Sequence, residues 1–355
     1  MRPLGLLLAI VMAAGVPAQN PPQPQPKPEQ KAEPKAEQTI RVDVPLVNVP
    51  FSVLDQKDRL VTDLKQEDFK VYEDGKPVPI RFFSSITRVP LRIGLLLDTS
   101  NSVRLYFKAQ QNAAIDFVHT MMESNPKNRI LLMTFDFTKD ILSEFTNDAD
   151  HLSTLIRKLK PGGGTSLYDA VYTASKDKLQ YESEAGGLRR VLVIATDGED
   201  DASKHSMQEA IAMARRAGVT IYAIATISWG YNSPGEKVLD QMCEETGGRV
   251  VYPWKKPPSA EFGTGYLSKT QIDGQNAVYE AGTGKYSSEQ AEKLADALGL
   301  IQRELQTQYS LAYIPPNPVS DGRYREIRVE LTSERARGIG LKVRGRRGYY
   351  PPQYN

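Results

Sequence analysis

The chain has 355 residues, which is enough for two ordinary domains that each bury a hydrophobic core. Its composition, 40% hydrophobic and 25% charged, is typical of a soluble globular protein. The 45 basic and 43 acidic residues leave a net charge of +2, which argues against nucleic acid or an anionic surface as the main partner. A single cysteine excludes an internal disulfide, and the helical pattern around Cys243 predicts a buried, unreactive thiol.

The amino-terminal segment is typical of an export signal. A short basic start is followed by the apolar stretch Leu4–Val11 and by the small residues Val16–Ala18, which predicts a signal peptide over residues 1–18. The apolar stretch is shorter than the roughly 20 residues that a membrane span needs, and a retained anchor is the alternative. We therefore expect a periplasmic or extracellular protein with no membrane span after cleavage. The proline-rich residues 19–39 predict a disordered linker.

Two segments of short strands flank the middle of the chain, at residues 40–88 and 309–355. In the first, Glu73–Lys76 predicts a hairpin turn, with Ile80–Phe83 as the return strand. In the second, the basic residues near the end, such as Arg346, predict an exposed strand face. Neither segment is long enough to be stable alone, so we expect them to pair into one β-sandwich around the domain between them. The predicted strands of the second segment are Tyr309–Tyr313, Glu326–Leu331 and Gly340–Val343.

Residues 89–308 alternate between strand and helix patterns. This alternation predicts an α/β domain with a doubly wound, mainly parallel sheet and helices on both faces. The predicted strands are Ile93–Leu97, Ile130–Phe135, Ile141–Phe145, Val191–Thr196, Thr220–Thr226 and Arg249–Tyr252. The predicted helices are Val103–Glu123, Asp148–Leu159, Ser166–Gln180, Ser206–Ala217, Lys237–Thr246 and Ser287–Gln306.

Side chains with hard oxygen donors follow the buried strands of this domain. Asp98, Ser100 and Ser102 come directly after the first strand, Thr165 follows a glycine-rich loop, and Asp197 ends a later strand. Each alone suits a turn or a helix cap. Because the carboxyl ends of parallel strands share one edge of the sheet, the five side chains can converge there. Together they predict an octahedral cation site that lacks one ligand.

The run Asp98–Ser102, with Thr165 and Asp197, resembles the metal-ion-dependent adhesion site of von Willebrand factor type A domains. The resemblance covers roughly residues 89–308, and the flanking segments are similar to a bacterial secreted family related to these domains. It implies a mainly parallel six-stranded sheet with one antiparallel edge strand and helices on both faces. A smaller, all-β sandwich-like domain is expected from the flanking segments.

The resemblance also implies a role for each site residue. Ser100 and Ser102 are expected to bind the cation directly, and Thr165 joins them in the ligand-bound form. Asp98 and Asp197 act mainly through water. The implied ion is Mg²⁺, with Mn²⁺ or Ca²⁺ as alternatives, and its open position takes an acidic side chain of a protein partner.

The residues leave two other classes of function open. One is a hydrolase whose metal activates water, and the other is a structural module whose site binds nothing. The three histidines lack metal-binding spacing, and the chain has no His-Glu-x-x-His or Gly-x-Ser-x-Gly motif. We therefore predict a non-enzymatic binding protein of the adhesion or scaffold type.

The resemblance also implies that two loops leave the metal-bearing edge of the predicted sheet. One carries Trp229 and Tyr231, and the other is the long insertion at residues 253–286. We predict that they form the rim that selects the partner, and surface decoration without function is the alternative. The acidic residues 199–201 follow the site and suggest either a second cation or a solvated loop.

Overall fold

The structure is a computed structural model that describes residues 46–85, 89–104, 106–183, 187–226, 233–253, 285–317, 321–332 and 340–351. These residues belong to one compact unit, Val44–Asn355. The predictions for the signal peptide, the proline-rich linker, Trp229, Tyr231 and most of the 253–286 insertion lie outside the described residues.

The described residues form fourteen strands and six α-helices. The strands are β1 (Val47–Leu54), β2 (Phe69–Glu73), β3 (Lys76–Val78), β4 (Phe82–Ser84), β5 (Leu91–Asp98), β6 (Arg129–Phe135), β7 (Lys139–Thr146), β8 (Arg189–Thr196), β9 (Val219–Ala225), β10 (Val250–Val251), β11 (Tyr309–Tyr313), β12 (Arg325–Leu331), β13 (Lys342–Gly345) and β14 (Gly348–Tyr349). The helices are α1 (Phe107–Ser124), α2 (Ala149–Lys158), α3 (Leu167–Thr173), α4 (Met207–Arg216), α5 (Pro234–Thr246) and α6 (Lys285–Thr307). Within these ranges no helix has both the length and the apolarity to cross a bilayer.

The central sheet has six strands in the order β10-β9-β8-β5-β6-β7. All neighbours run parallel except β7, which pairs antiparallel with β6 at the edge. The predicted fold class is confirmed. Its central strand β5 is buried along its whole length, because helices cover both faces of the sheet.

Successive residues of β5 point into two different cores. Leu95 packs into the core formed with α1, α2 and α6, whereas Leu96 packs into the core formed with α3, α4 and α5. Each fully buried leucine contributes about 1.5–3 kcal/mol of transfer free energy. Cys243 lies in the second core with 1% exposure, and burial raises the pKa of its thiol, which makes it the unreactive group that the sequence predicts.

Three helices depart from their predicted bounds by three residues or more, and the fifth does so by beginning at Pro234 instead of Lys237. The first begins at Phe107 instead of Val103, because the residues after β5 form turns in which the Tyr106 N–H donates to the Val103 carbonyl. The third ends at Thr173 and continues as a π turn over Ala174–Lys178. The backbone after β5 thus turns more tightly than an α-helix, and the backbone at the end of α3 turns more widely.

The flanking segments form two antiparallel sheets, β13-β1-β11-β4 and β14-β12-β2-β3. Each sheet takes strands from both segments, since β1 pairs with β11 and β2 pairs with β12. An aromatic cluster packs between the sheets, with ring centroids of neighbouring side chains 5.0–5.7 Å apart. Its members are Phe51, Phe69, Phe83 and Tyr309.

The predicted hairpin turn lies where the structure has one, but the predicted return strand is wrong. Asp74 and Gly75 have φ of 48° and 77°, so they form a two-residue turn that brings β3 directly back along β2. The predicted return strand, Ile80–Phe83, instead contributes β4, which crosses to the other sheet and pairs with β11. The chain returns at once because the turn has only two residues.

Candidate metal centre

Three loops meet at the carboxyl edge of the central sheet. Strands β5 and β8 are parallel neighbours with Leu97 opposite Ala195, so Asp98 is level with Thr196 and one residue short of Asp197. The glycine-rich loop before α3 is tied to the loop after β5 by two backbone hydrogen bonds. These run from the Gly162 N–H to the Thr99 carbonyl at 2.6 Å and from the Asn101 N–H to the Gly163 carbonyl at 3.2 Å. The three loops that carry the predicted ligands are therefore adjacent.

Asp98 is fully buried and held by both of its carboxylate oxygens. One oxygen accepts a hydrogen bond from the Ser100 N–H at 2.8 Å, and the other accepts from the Thr196 hydroxyl at 2.6 Å. Burial raises the pKa of Asp98 to about 7, against the lowering effect of these hydrogen bonds. The Asp98 carboxylate is thus fixed behind the loop that follows β5.

The three predicted hydroxyl ligands face one cavity. The Oγ atoms of Ser100 and Ser102 are 2.9 Å apart, and both residues line a cavity of about 430 Å³ together with Thr165. Asp98 does not line this cavity, and Asp197 is 6% exposed in the neighbouring turn. The structure therefore places the hydroxyls in front and the two carboxylates behind or beside them.

The chemistry of these donors fits a hard divalent cation. Hydroxyl and carboxylate oxygens suit Mg²⁺, Mn²⁺ or Ca²⁺ and do not favour zinc or copper. Among the residues that the structure describes, no group of three or more His, Cys, Asp or Glu side chains is arranged to hold an ion. A cation at this edge therefore depends on the hydroxyls of Ser100, Ser102 and Thr165.

The acidic residues after β8 have a structural role. The Asp201 carboxylate accepts from the Thr165 N–H at 2.7 Å, and the Asp200 carboxylate accepts from the Tyr168 N–H at 2.9 Å. The Tyr168 N–H is in the first turn of α3, where such donors lack partners within the helix, and the Thr165 N–H is in the loop just before it. Glu199 and Asp201 are exposed, as a solvated loop predicts, but Asp200 and Asp201 also hold the start of α3 and Thr165 in position.

Two further positioning residues were not predicted from the sequence. The Thr196 hydroxyl, which donates to Asp98, also accepts from the Gly198 N–H at 3.2 Å. Asp169 accepts from the His205 N–H at 2.9 Å and forms an ion pair with Lys139 at 2.9 Å. Although burial opposes its ionisation, these hydrogen bonds hold the pKa of the Asp169 carboxyl well below its usual range. A polar residue at the end of an apolar strand was the available signal for Thr196.

A close approach of two glycines fixes the turn that carries Asp197. Gly198 has φ of +82°, and a Cβ atom there would lie 2.3 Å from the Gly235 carbonyl oxygen. A Cβ atom on Gly235 would in turn lie 2.4 Å from the Asp197 carbonyl oxygen. The amino-terminal end of α5 can therefore pack against this turn only without side chains at both positions.

Residues 93–259 match the family model of the von Willebrand factor type A domain. A search of curated proteins found no match.

Solved structures with similarity to the chain include three from different sources. An aerotolerance-related membrane protein from Bacteroides fragilis NCTC 9343, carrying multiple mutations to serines, is 16% identical with a TM-score of 0.38, over 46% of this chain and 90% of that chain. The vWF domain of the type V pili tip protein Mfa5 from Porphyromonas gingivalis is 24% identical with a TM-score of 0.29, over 32% and 39%. Proximal thread matrix protein 1 from the mussel byssus, with a zinc-occupied MIDAS motif, is 16% identical with a TM-score of 0.39, over 48% and 43%.

Proposed function

We propose that the chain binds a protein partner through a divalent cation held at the carboxyl edge of its central sheet, since residues 93–259 match the model of the von Willebrand factor type A domain. The observation that carries this proposal is the pair of hydroxyls on Ser100 and Ser102, 2.9 Å apart and facing one cavity with Thr165. Mg²⁺ is the ion we propose, and Mn²⁺ or Ca²⁺ would suit the same oxygen donors.

Each ligand has a distinct task in this proposal. Ser100, Ser102 and Thr165 hold the cation with neutral hydroxyls, while Asp98 and Asp197 supply negative charge through water. When bound, the cation supplies a positive centre with one open position. Neutral donors leave much of its charge uncompensated, so an acidic side chain of the partner gains a strong interaction by completing the shell.

The charge around the cavity supports a strict dependence on the cation. Its lining includes Glu199, Asp200 and Asp201 and contains no lysine, arginine or histidine among the described residues. Without the cation, an acidic group of a partner meets only like charge among the side chains that line the cavity. Cation binding therefore converts a repulsive surface into an attractive one.

We also propose that this role is non-catalytic and is carried out after export. The Asp200 and Asp201 carboxylates accept from backbone N–H groups of α3 and of the loop before it, so they are poorly placed to take a proton from a substrate or water. The signal-like residues 1–18 support export to the periplasm or the outside. Trp229 and Tyr231 are proposed to contribute to the rim that contacts the partner.

Cation binding is tested by calorimetric titration of the full chain with Mg²⁺ and with Mn²⁺. Ser100→Ala and Thr165→Ala are expected to weaken the affinity by an order of magnitude or more, since each removes a direct ligand. Thr154→Ala is the matched control, because Thr154 is exposed on α2. Equal affinities in all four proteins would contradict the assignment of the ligands.

Partner binding is tested separately with the immobilised chain and the envelope fraction of its native cell. A protein retained in Mg²⁺, released by chelator and not retained by the Ser100→Ala variant supports the proposal. Retention that is indifferent both to chelator and to Ser100→Ala would show that another surface binds the partner.

A further inference from the structure

A second and larger cavity lies between the β-sandwich and the opposite edge of the central sheet. It has a volume of about 920 Å³. Arg189 and Thr220, near the starts of β8 and β9, line it from one side, and Arg346 and Tyr349 line it from the sandwich side. Since the metal centre is at the carboxyl ends of the parallel strands, the two sites are at opposite ends of the sheet.

The charged side chains that line this cavity are all positive. Among the described residues it contains no aspartate or glutamate. The five arginines that line it come from β8, from the end of α4 and from the chain between β13 and β14. They are Arg189, Arg190, Arg215, Arg216 and Arg346.

Most of this charge has no carboxylate beside it. Arg189 is 7% exposed and donates to the side-chain oxygen of Gln308 and to the Leu305 carbonyl, which are both neutral. Arg346 is half-buried and donates to the Asn48 carbonyl. In the part of the chain that the structure describes, the Nε–H groups of Arg189 and Arg346 are buried and donate no hydrogen bond.

The remaining three arginines are only partly compensated. Arg215 forms an ion pair with Glu245 at 3.2 Å, and Glu182 attracts Arg190 from outside the lining. Burial lowers the pKa of Arg189 to about 10, which leaves it protonated at neutral pH. The cavity therefore concentrates several guanidinium charges with less than one carboxylate for every two of them.

Aromatic rings hold these guanidinium groups in place without neutralising them. Arg216 lies over the ring of Tyr350 at 5.5 Å, and Arg346 lies over the ring of Tyr349 at 5.8 Å. Arg215 lies over the Tyr324 ring at 3.9 Å. A cation over an aromatic face keeps its charge and its outward hydrogen-bond donors, so the cluster is organised before a ligand arrives.

We propose that this cavity binds a small molecule that carries two or more phosphate or carboxylate groups. Guanidinium forks match both groups with paired, charge-assisted hydrogen bonds. The volume falls within the range of about 300–1,000 Å³ that small-molecule sites occupy, and it exceeds what a single phosphate needs. Tyrosine rings at the same wall offer apolar contact for the remainder of the ligand.

The test uses the full chain after its metal has been removed with chelator and the chelator has been removed by dialysis into metal-free buffer, so that its outcome is independent of the metal centre. Pyrophosphate and citrate are titrated calorimetrically at constant ionic strength, with acetate as a singly charged comparison. Saturable binding of pyrophosphate alone assigns the site to phosphates, and of citrate alone to carboxylates. Arg216→Gln is expected to weaken that binding about tenfold, because it removes one charge-assisted contact.

Arg216 is exposed at the last residue of α4, so its replacement leaves the core intact. Arg157→Gln is the matched control, since Arg157 is an exposed arginine in the last turn of α2 and does not line the cavity. Unchanged binding in this control, with the loss in Arg216→Gln, supports the proposal. Absence of saturable binding to either polyanion, or an equal loss in both variants, overturns it.

Discussion

The Ser52 hydroxyl donates a hydrogen bond of 3.1 Å to the Glu304 carboxylate across 252 residues of chain. Ser52 belongs to β1 of the sandwich, and Glu304 lies on α6 of the α/β domain with no exposed surface. Arg249 and Arg344 approach the same carboxylate at 3.4 and 4.0 Å. One buried charge therefore joins the sandwich to the last helix of the α/β domain.

Removing this carboxylate should destabilise the whole unit. Glu304→Ala leaves Arg249 and Arg344 without a buried counter-charge, and we expect a loss of about 3–5 kcal/mol in the free energy of unfolding. Urea denaturation followed by fluorescence measures it. Glu123→Ala, at an exposed position on α1, should change stability by less than about 0.5 kcal/mol. A Glu304→Ala protein as stable as this control would show that the junction is not held by the charge.

Asp201 should affect cation affinity without being a ligand. Asp201→Ala leaves the Thr165 N–H without its 2.7 Å acceptor, so the Thr165 hydroxyl is less well positioned toward the cavity. We expect about a tenfold loss of Mn²⁺ affinity by calorimetry, typical of residues that orient a metal ligand. Asp177→Ala is the control, since Asp177 is exposed and remote from the cavity. If the two variants bind Mn²⁺ equally well, Asp201 has no positioning role.

Asp169 should make the protein sensitive to acid. Its folded pKa is held below the value of 3.8 usual for the free side chain, so its contribution to stability is complete above that pH and is lost as the pH falls toward the folded pKa. Asp169→Asn should be less stable than the wild type at pH 7. Its melting temperature should also fall less steeply below about pH 4 than that of the wild type. If the melting temperatures of the two proteins fall equally steeply below about pH 4, Asp169 is not the source of the acid sensitivity.

The energetic cost of crowding Gly198 against Gly235 should be measurable separately from the cost of backbone strain. Gly198→Ala introduces a side chain at positive φ and 2.3 Å from the Gly235 carbonyl oxygen, whereas Gly75→Ala introduces one at φ of +77° with nothing within 4 Å. Gly75→Ala should cost about 1 kcal/mol, and Gly198→Ala should cost about 1–3 kcal/mol more because the turn must move. Unfolding free energies measure both, and equal costs would show that the turn relaxes freely.

The sequence predicts those features that depend on neighbours along the chain. Buried strands are visible as apolar runs, and Asp98, Ser100 and Ser102 are visible because they interrupt one of these runs at its end. The meeting of the three loops follows from the rule that parallel strands end at one edge, which needs no knowledge of the packing. The Ser100 and Ser102 hydroxyls then lie in front of Asp98 because all three residues belong to one tight loop.

Features that depend on distant partners were not visible. Asp200 and Asp201 look like a solvated acidic run until the start of α3 is placed against them. Arg346 looks like one charge on an exposed strand, yet it is half-buried and shares a cavity with Arg189. Nothing in the spacing of these residues indicates their contact, because the contact is created by the docking of two separately patterned regions.

The pairing of β1 with β11 also sets an order of events when the chain is made. The partners of β1 are β11 and β13, and both follow the whole α/β domain, so β1 emerges from the ribosome or an export channel long before either is available. The α/β domain contains its own partners between Leu91 and Thr307 and is free to fold first. Pulse-labelled hydrogen exchange during refolding should therefore protect β5 before β1, and the reverse order would rule this out. A chain truncated before Tyr309 would leave the apolar face of β1 uncovered, with aggregation as the expected fate.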